Sequence, residues 1–146
     1  MERIHRRKER MAEELKLKDS GFREVYTSGA QRDNREGKGR FDLIAGQGLL
    51  RLSRLYEAGA LKYSGRNWEK GMNISRYVDA AFRHLTKYMM GCDDEDHLAA
   101  VAFNVFAIMH HESELPELQD LPKWQNRKTK WTYELDLGDK KEKDNN

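Results

Sequence analysis

The chain holds a single cysteine, Cys92. It therefore has neither an internal disulfide framework nor a cysteine-built zinc site, and a reducing cytoplasm is the expected setting. Acidic neighbours disfavour the Cys92 thiolate, so no nucleophile is expected there. Proline is scarce as well. Pro116 and Pro122 are the only two, both late, and helices can run uninterrupted ahead of them. No run of about eighteen apolar residues exists, which argues against a membrane-spanning helix. The opening MERIHRRKER has no apolar stretch behind it and is not expected to act as a secretory signal. Net charge is nearly absent: 27 Lys and Arg face 25 Asp and Glu, leaving +2. That balance argues against bulk charge driving the chain onto DNA. The glycine-rich phosphate loop, the dinucleotide-binding glycine motif, HExxH and GxSxG are all missing.

What is present is one domain's worth of chain, 146 residues, enough to bury roughly two thirds of its unfolded surface. Charge is unevenly spread. Residues 1–40 carry 12 basic and 8 acidic side chains, and residues 41–92 carry 8 and 4. Residues 93–120 carry no Lys or Arg and 8 acids. A locally acidic block thus follows two basic ones, a stronger signal than the net charge.

The pattern predicts an all-α helical bundle with polar or extended arms on both sides. Residues 2–18 suit a polar helix with few apolar anchors. Residues 27–40, TSGAQRDNREGKGR, have the composition of a loop. A helix is expected from about Gln47 to Tyr63, with Leu49, Leu52, Tyr56, Ala60 and Tyr63 at helical spacing. Asn73 is a suitable N-cap for a helix over about 74–90, whose stripe is Ile74, Tyr77, Val78, Ala81, Phe82, Leu85 and Met89. Gly91 should end it. Asp93 can cap the next helix, which is apolar all round from Leu98 to Met109 except at Asn104. Such a helix is central in a bundle or lies in an oligomer interface. Pro116 closes the region. Trp131, Tyr133, Leu135 and Leu137 alternate with polar residues, the period of a short strand, which needs a partner in residues 22–27 or in another subunit. Residues 140–146 are charged and apolar-free, the composition of disorder.

Three constellations could carry chemistry. Asp93, His97, Asn104 and His111 share one stripe of the apolar helix. Burying Asn104 without partners would cost on the order of 1–3 kcal/mol, so it must pair with a neighbour, a water or a ligand. On the helix before it stand Asp79, Arg83, His84 and Lys87. Arg83 and Lys87 can meet a common anion, while Asp79 with Arg83 also fits an ordinary i,i+4 pair. His84, at the edge of the buried stripe, also fits a satisfied core histidine. The third is Glu57 and the run EAGALKYSGRNWEKGM. Lys62, Arg66 and Lys70 surround a glycine-containing turn with Asn67, and Tyr63 or Trp68 can stack on a base. A solvated helix–helix loop with Trp68 in the core fits the same run. Carboxylates on bundle helices can hold Mg²⁺ while lysines and arginines hold phosphate oxygens, and a metal-bridged triphosphate needs both.

The ordered set TSGAQRD, GKGRFDLI, GALKYSGRNWEKGM, RHLTKYMMG and DEDHLAAVAFN resembles the phage dATP/dGTP diphosphohydrolase N-terminal domain. That domain is grouped with the MazG-like all-α nucleoside triphosphate pyrophosphohydrolases. The resemblance covers about Ser28 to Met109. It implies a dimer or higher oligomer and Mg²⁺-dependent cleavage between the α and β phosphates, giving a monophosphate and pyrophosphate. It places Lys62, Tyr63, Arg66, Asn67, Trp68 and Lys70 on the nucleotide side, and Arg83, His84, Asp94, Glu95, His97 and Asn104 in a polar centre. Of these, His84, Glu95, His97 and Asn104 are the expected catalytic residues, and Glu57, Asp93, Asp94 and Asp96 the expected metal ligands. The domain plan it implies is an arm over 1–27, a helical nucleotide-binding domain over 28–115, and a second arm over 116–146.

The chain departs from the superfamily pattern of Glu-x-x-Glu on one helix and Glu-x-x-Asp on the next. Glu57 has Arg54 and Ala60 at those offsets, and Asp79 has Arg76 and Phe82. From Glu57 to Asp96, only Asp93 and Asp96 are three apart, at a helix start. Two classes of function follow. One is an enzyme that hydrolyses a purine (deoxy)nucleoside triphosphate, dGTP or dATP. The other is a phage protein that binds or sequesters a nucleotide or nucleotide signal without hydrolysis. A structural protein with a buried polar network ranks third. Membrane partners are not expected, and nucleic acid is a weak expectation.

Overall fold

The computed structural model describes residues 4–6, 8, 10 and 21–124. Residues 4–6, 8 and 10 are helical. The rest of the expected 2–18 helix, the alternating segment from Trp131 to Leu137 and the 140–146 tail lie outside the described residues. The described residues fall into two compact units, one within residues 1–40 and one from Phe41 onward.

The first unit contains a hairpin whose first strand lies within residues 22–27, offered above as a strand partner, and whose second lies in the run with the composition of a loop. Strand β1, Arg23–Val25, pairs antiparallel with β2, Gln31–Asp33. The register sets Arg23 opposite Asp33 and Glu24 opposite Arg32, so unlike charges face across the ladder. Gly29 adopts φ 82° in the connecting turn, and its N–H donates to the Tyr26 carbonyl at 2.8 Å. Gln31–Asp33 has no apolar alternation, so the strand leaves no period-two trace in the sequence.

The second unit is helical, as expected. Helix α1 spans Gly46–Lys62, α2 Ile74–Met89 and α3 His97–Glu114. Helix α3 packs against both α1 and α2. Alanines make this close approach feasible: Ala99, Ala100 and Ala107 are buried on α3. Ile74, Tyr77 and Ala107 form the densest core, with Trp68, Val78, Phe103, Ile108 and Leu121 packed around it. The expected stripe of α2 is buried only in its first half. Phe82 and Met89 are 67% and 79% exposed. No helix among the described residues is long and apolar enough to cross a membrane.

The ends of the helices are set by other residues than the nearest capping candidates. Asn73 makes no side-chain cap. Asp120, far along the chain, accepts from the Ser75 N–H at 2.8 Å and from its hydroxyl at 2.5 Å. Asp96, rather than Asp93, caps α3 by accepting from the Ala99 N–H at 3.0 Å. Any of the four consecutive acids offers a capping oxygen, but only Asp96 directly precedes the first helical residue. Gly91 does end α2. It adopts φ 77°, while Cys92 N–H reaches Lys87 O and Gly91 N–H reaches Tyr88 O, the bond pair of a Schellman motif.

Candidate functional site

The third turn of α2 carries His84, the turn after it carries Asp94 and Glu95, and α3 opens with His97. The Schellman turn at Gly91 reverses the chain so that these four meet. His84 Nδ1 and His97 Nδ1 lie 3.0 Å apart. Glu95 Oε2 is 3.7 Å from the first and 3.9 Å from the second. The other ring nitrogen of His97, Nε2, is hydrogen-bonded to Asp94 Oδ1 at 2.9 Å. Lys87 Nζ stands 3.6 Å from Asp94 Oδ2.

Burial is graded across the cluster. The His97 side chain is 1% exposed, that of His84 20%, and that of Glu95 57%. The centre therefore has a fixed inner imidazole and an outer carboxylate in contact with solvent. Burial pushes the His84 pKa below its ordinary value, against an opposing pull from Glu95. The hydrogen bond from His97 is the main cause holding the Asp94 carboxyl below its usual range. With Asp94 as a carboxylate, His97 Nε2 is the donor of that hydrogen bond.

Asp96 points elsewhere. Arg51 of α1 donates to both of its oxygens, Nη2 to Oδ1 at 2.6 Å and Nε to Oδ2 at 2.8 Å. That fork, with the Ala99 N–H, holds the Asp96 pKa down to about 2. Arg51 carried no signal in the sequence, because its partner is 45 positions away. Asn104 is buried, and its amide donates to the Ala100 carbonyl at 2.8 Å. Arg83 pairs with Asp79 at 2.5 Å on the exposed side of α2, the ordinary i,i+4 arrangement. Asp93 and Glu57 are exposed.

The basic turn after α1 has internal partners. Lys62 Nζ lies 5.0 Å above the Tyr63 ring, and Tyr63 is 64% exposed. Arg66, at φ 61°, pairs with Glu69. Lys70 is exposed, and Asn67 half-buried. Trp68 packs edge-on against Tyr56 and His110, with centroids 5.7 and 4.9 Å away, as part of the core.

A resident Mg²⁺ asks for an octahedron of oxygens. Asp96 is occupied by Arg51 and the Ala99 N–H, and Asp94 is bound to His97. Among the described residues, the one group of three or more candidate ligands is His84, Glu95 and His97, with two nitrogens to one oxygen. That donor set does not fit a resident Mg²⁺.

The profile of the family described as dATP/dGTP diphosphohydrolase, N-terminal, matches residues 28–121. No curated protein and no solved structure matches the chain. The matched span contains the whole His84, Asp94, Glu95 and His97 cluster and the basic turn.

Proposed function

The chain belongs to the dATP/dGTP diphosphohydrolase N-terminal family, and from that premise we propose that it hydrolyses a purine deoxynucleoside triphosphate, dGTP or dATP. The observation that carries this reading is the convergence of two imidazoles and Glu95 at 3.0–3.9 Å inside the matched span. In the reaction a water attacks the α-phosphorus, the bond from that phosphorus to the bridging oxygen breaks, and pyrophosphate leaves. The centre formed by His84, His97 and Glu95 positions the water, the free oxygen of Glu95 takes its proton, and Asp94 fixes the His97 ring. Lys62, Arg66 and Lys70 receive phosphate oxygens, with the exposed Tyr63 ring for the base. The triphosphate enters as its Mg²⁺ complex, so this ion belongs to the substrate.

A second reading has one observation in its favour. Two of the four carboxylates expected to hold Mg²⁺ are spent, Asp94 on His97 and Asp96 on Arg51 and a helix cap, which suits a protein that sequesters a nucleotide uncut. Incubation of the purified chain with each dNTP and NTP plus Mg²⁺, analysed by mass spectrometry, separates the two. Conversion of dGTP or dATP to the monophosphate and pyrophosphate is expected. Unchanged nucleotides at stoichiometric enzyme overturn hydrolysis, and a nucleotide retained through desalting supports sequestration.

A further inference from the structure

Two imidazole nitrogens face each other at 3.0 Å, with a carboxylate oxygen 3.7 and 3.9 Å away. Three atoms with these separations have a common centre about 2.1 Å from each, the bond length of Zn²⁺ to imidazole nitrogen and carboxylate oxygen. We infer that His84, His97 and Glu95 bind one divalent first-row transition metal ion of the Zn²⁺ class, with Nδ1, Nδ1 and Oε2 as donors.

Three features agree with this assignment. Two imidazoles and one carboxylate form the ligand set of open zinc sites, which leave a coordination position for water or substrate. His97 is anchored at its far nitrogen by Asp94, at 2.9 Å. A carboxylate behind a ligating imidazole fixes its orientation and raises its basicity. Finally, the inner ligand is fully buried and the outer one exposed, so the centre is rigid on one side and open to solvent on the other. The inference rests on the same centre as the proposed hydrolysis, where such an ion would supply a Lewis acid beside the water. The binding itself requires no nucleotide.

The test uses the full chain, stripped with a chelator and titrated with Zn²⁺ or Co²⁺ in the absence of nucleotide. Calorimetry and elemental analysis give the stoichiometry, and Co²⁺ absorption reports imidazole ligation. One ion per chain is expected, retained in millimolar Mg²⁺. His84→Ala and Glu95→Gln should each weaken binding by about 100-fold or more, and Asp94→Asn by about 10- to 100-fold. Glu95 is exposed, so Glu95→Gln decides the matter if His84→Ala does not fold. Substoichiometric uptake by the parent chain, or affinity unchanged in the folded variants, overturns the assignment. A chain that binds Zn²⁺ but cleaves no nucleotide defeats only the hydrolysis reading. A chain that cleaves dGTP or dATP without taking up Zn²⁺ defeats only this one.

Discussion

Tyr77 and His111 hold the core through one polar contact. Both are almost fully buried, and the Tyr77 hydroxyl and His111 Nε2 are hydrogen-bonded at 3.0 Å. Among the described residues, His111 Nδ1 has no hydrogen-bond partner. Tyr77→Phe would take away the partner of His111 Nε2, and the expected loss is about 1–3 kcal/mol in urea unfolding. An unchanged midpoint would contradict the role given to this bond. Burial, reinforced by the neighbouring His110, pushes the His111 pKa below its ordinary 6.5. The folded protein then holds fewer protons here than the unfolded chain does. This share of stability is present above about pH 6.5 and is lost as pH falls through the folded value. Unfolding midpoints from about pH 8 to about pH 5 should therefore fall for the parent and fall less steeply for His111→Phe. Parallel slopes would contradict the assignment. At this scale the sequence offers candidate residues without their pairing. His84 and His97 were both visible as candidates. Thirteen positions and a chain reversal separate them, and no helical spacing rule connects the third turn of one helix to the first residue of the next.

Helix boundaries follow local chemistry, whereas the side-chain cap at the start of α2 depends on a tertiary contact. Periodicity located α1, α2 and α3 to within a few residues, and Gly91 marked the end of α2. The cap of α2 was not legible, because Asp120 reaches Ser75 from a later turn. Those Ser75 bonds hold the Asp120 carboxyl below its ordinary 3.8. Its contribution is present above about 3.8 and is lost as pH falls through the folded value. Asp120→Ala should lower the melting temperature at neutral pH, and the gap to the parent should close in acid. A gap that persists there would assign the loss to packing instead of the carboxylate. Gly71 and Gly91 offer a second comparison between elements. Both adopt φ 77°. A Cβ at Gly91 meets open space, whereas one at Gly71 runs into Leu118 Cδ1 and lies 2.9 Å from Leu115 Cδ1. Gly91→Ala carries the backbone cost alone, about 1 kcal/mol. Gly71→Ala adds the steric cost, and its total should be about 2 kcal/mol or more. Equal losses in the two variants would mean that the turn after Glu114 yields freely.

At the scale of the whole molecule, an all-round apolar α3 was expected either at the centre of a bundle or in an interface, and the helical unit has features of both. One side of α3 buries Ala99, Ala100 and Ala107 against its neighbours. The other leaves Val105, Phe106 and Met109 exposed at 42%, 45% and 52%. Phe82 and Met89 are more exposed still, at one edge of α2. Clustered apolar side chains of this size on a monomer usually mark a surface that another molecule covers. A second copy of the chain is the partner proposed for these helices, as in an obligate dimer whose interface resembles a divided core. Sedimentation equilibrium at micromolar concentration should then give a dimer or higher oligomer, with a melting temperature that rises with protein concentration. Phe106→Glu should shift the population to monomer, because dimerisation would bury an unpaired charge. Arg83→Glu, on an exposed residue already paired along its own helix, serves as the charge-change control and should leave the oligomer intact. A parent chain that sediments as a monomer, with a melting temperature independent of concentration, would mean that these faces are exposed in solution and that the helical unit is stable with its apolar surface uncovered.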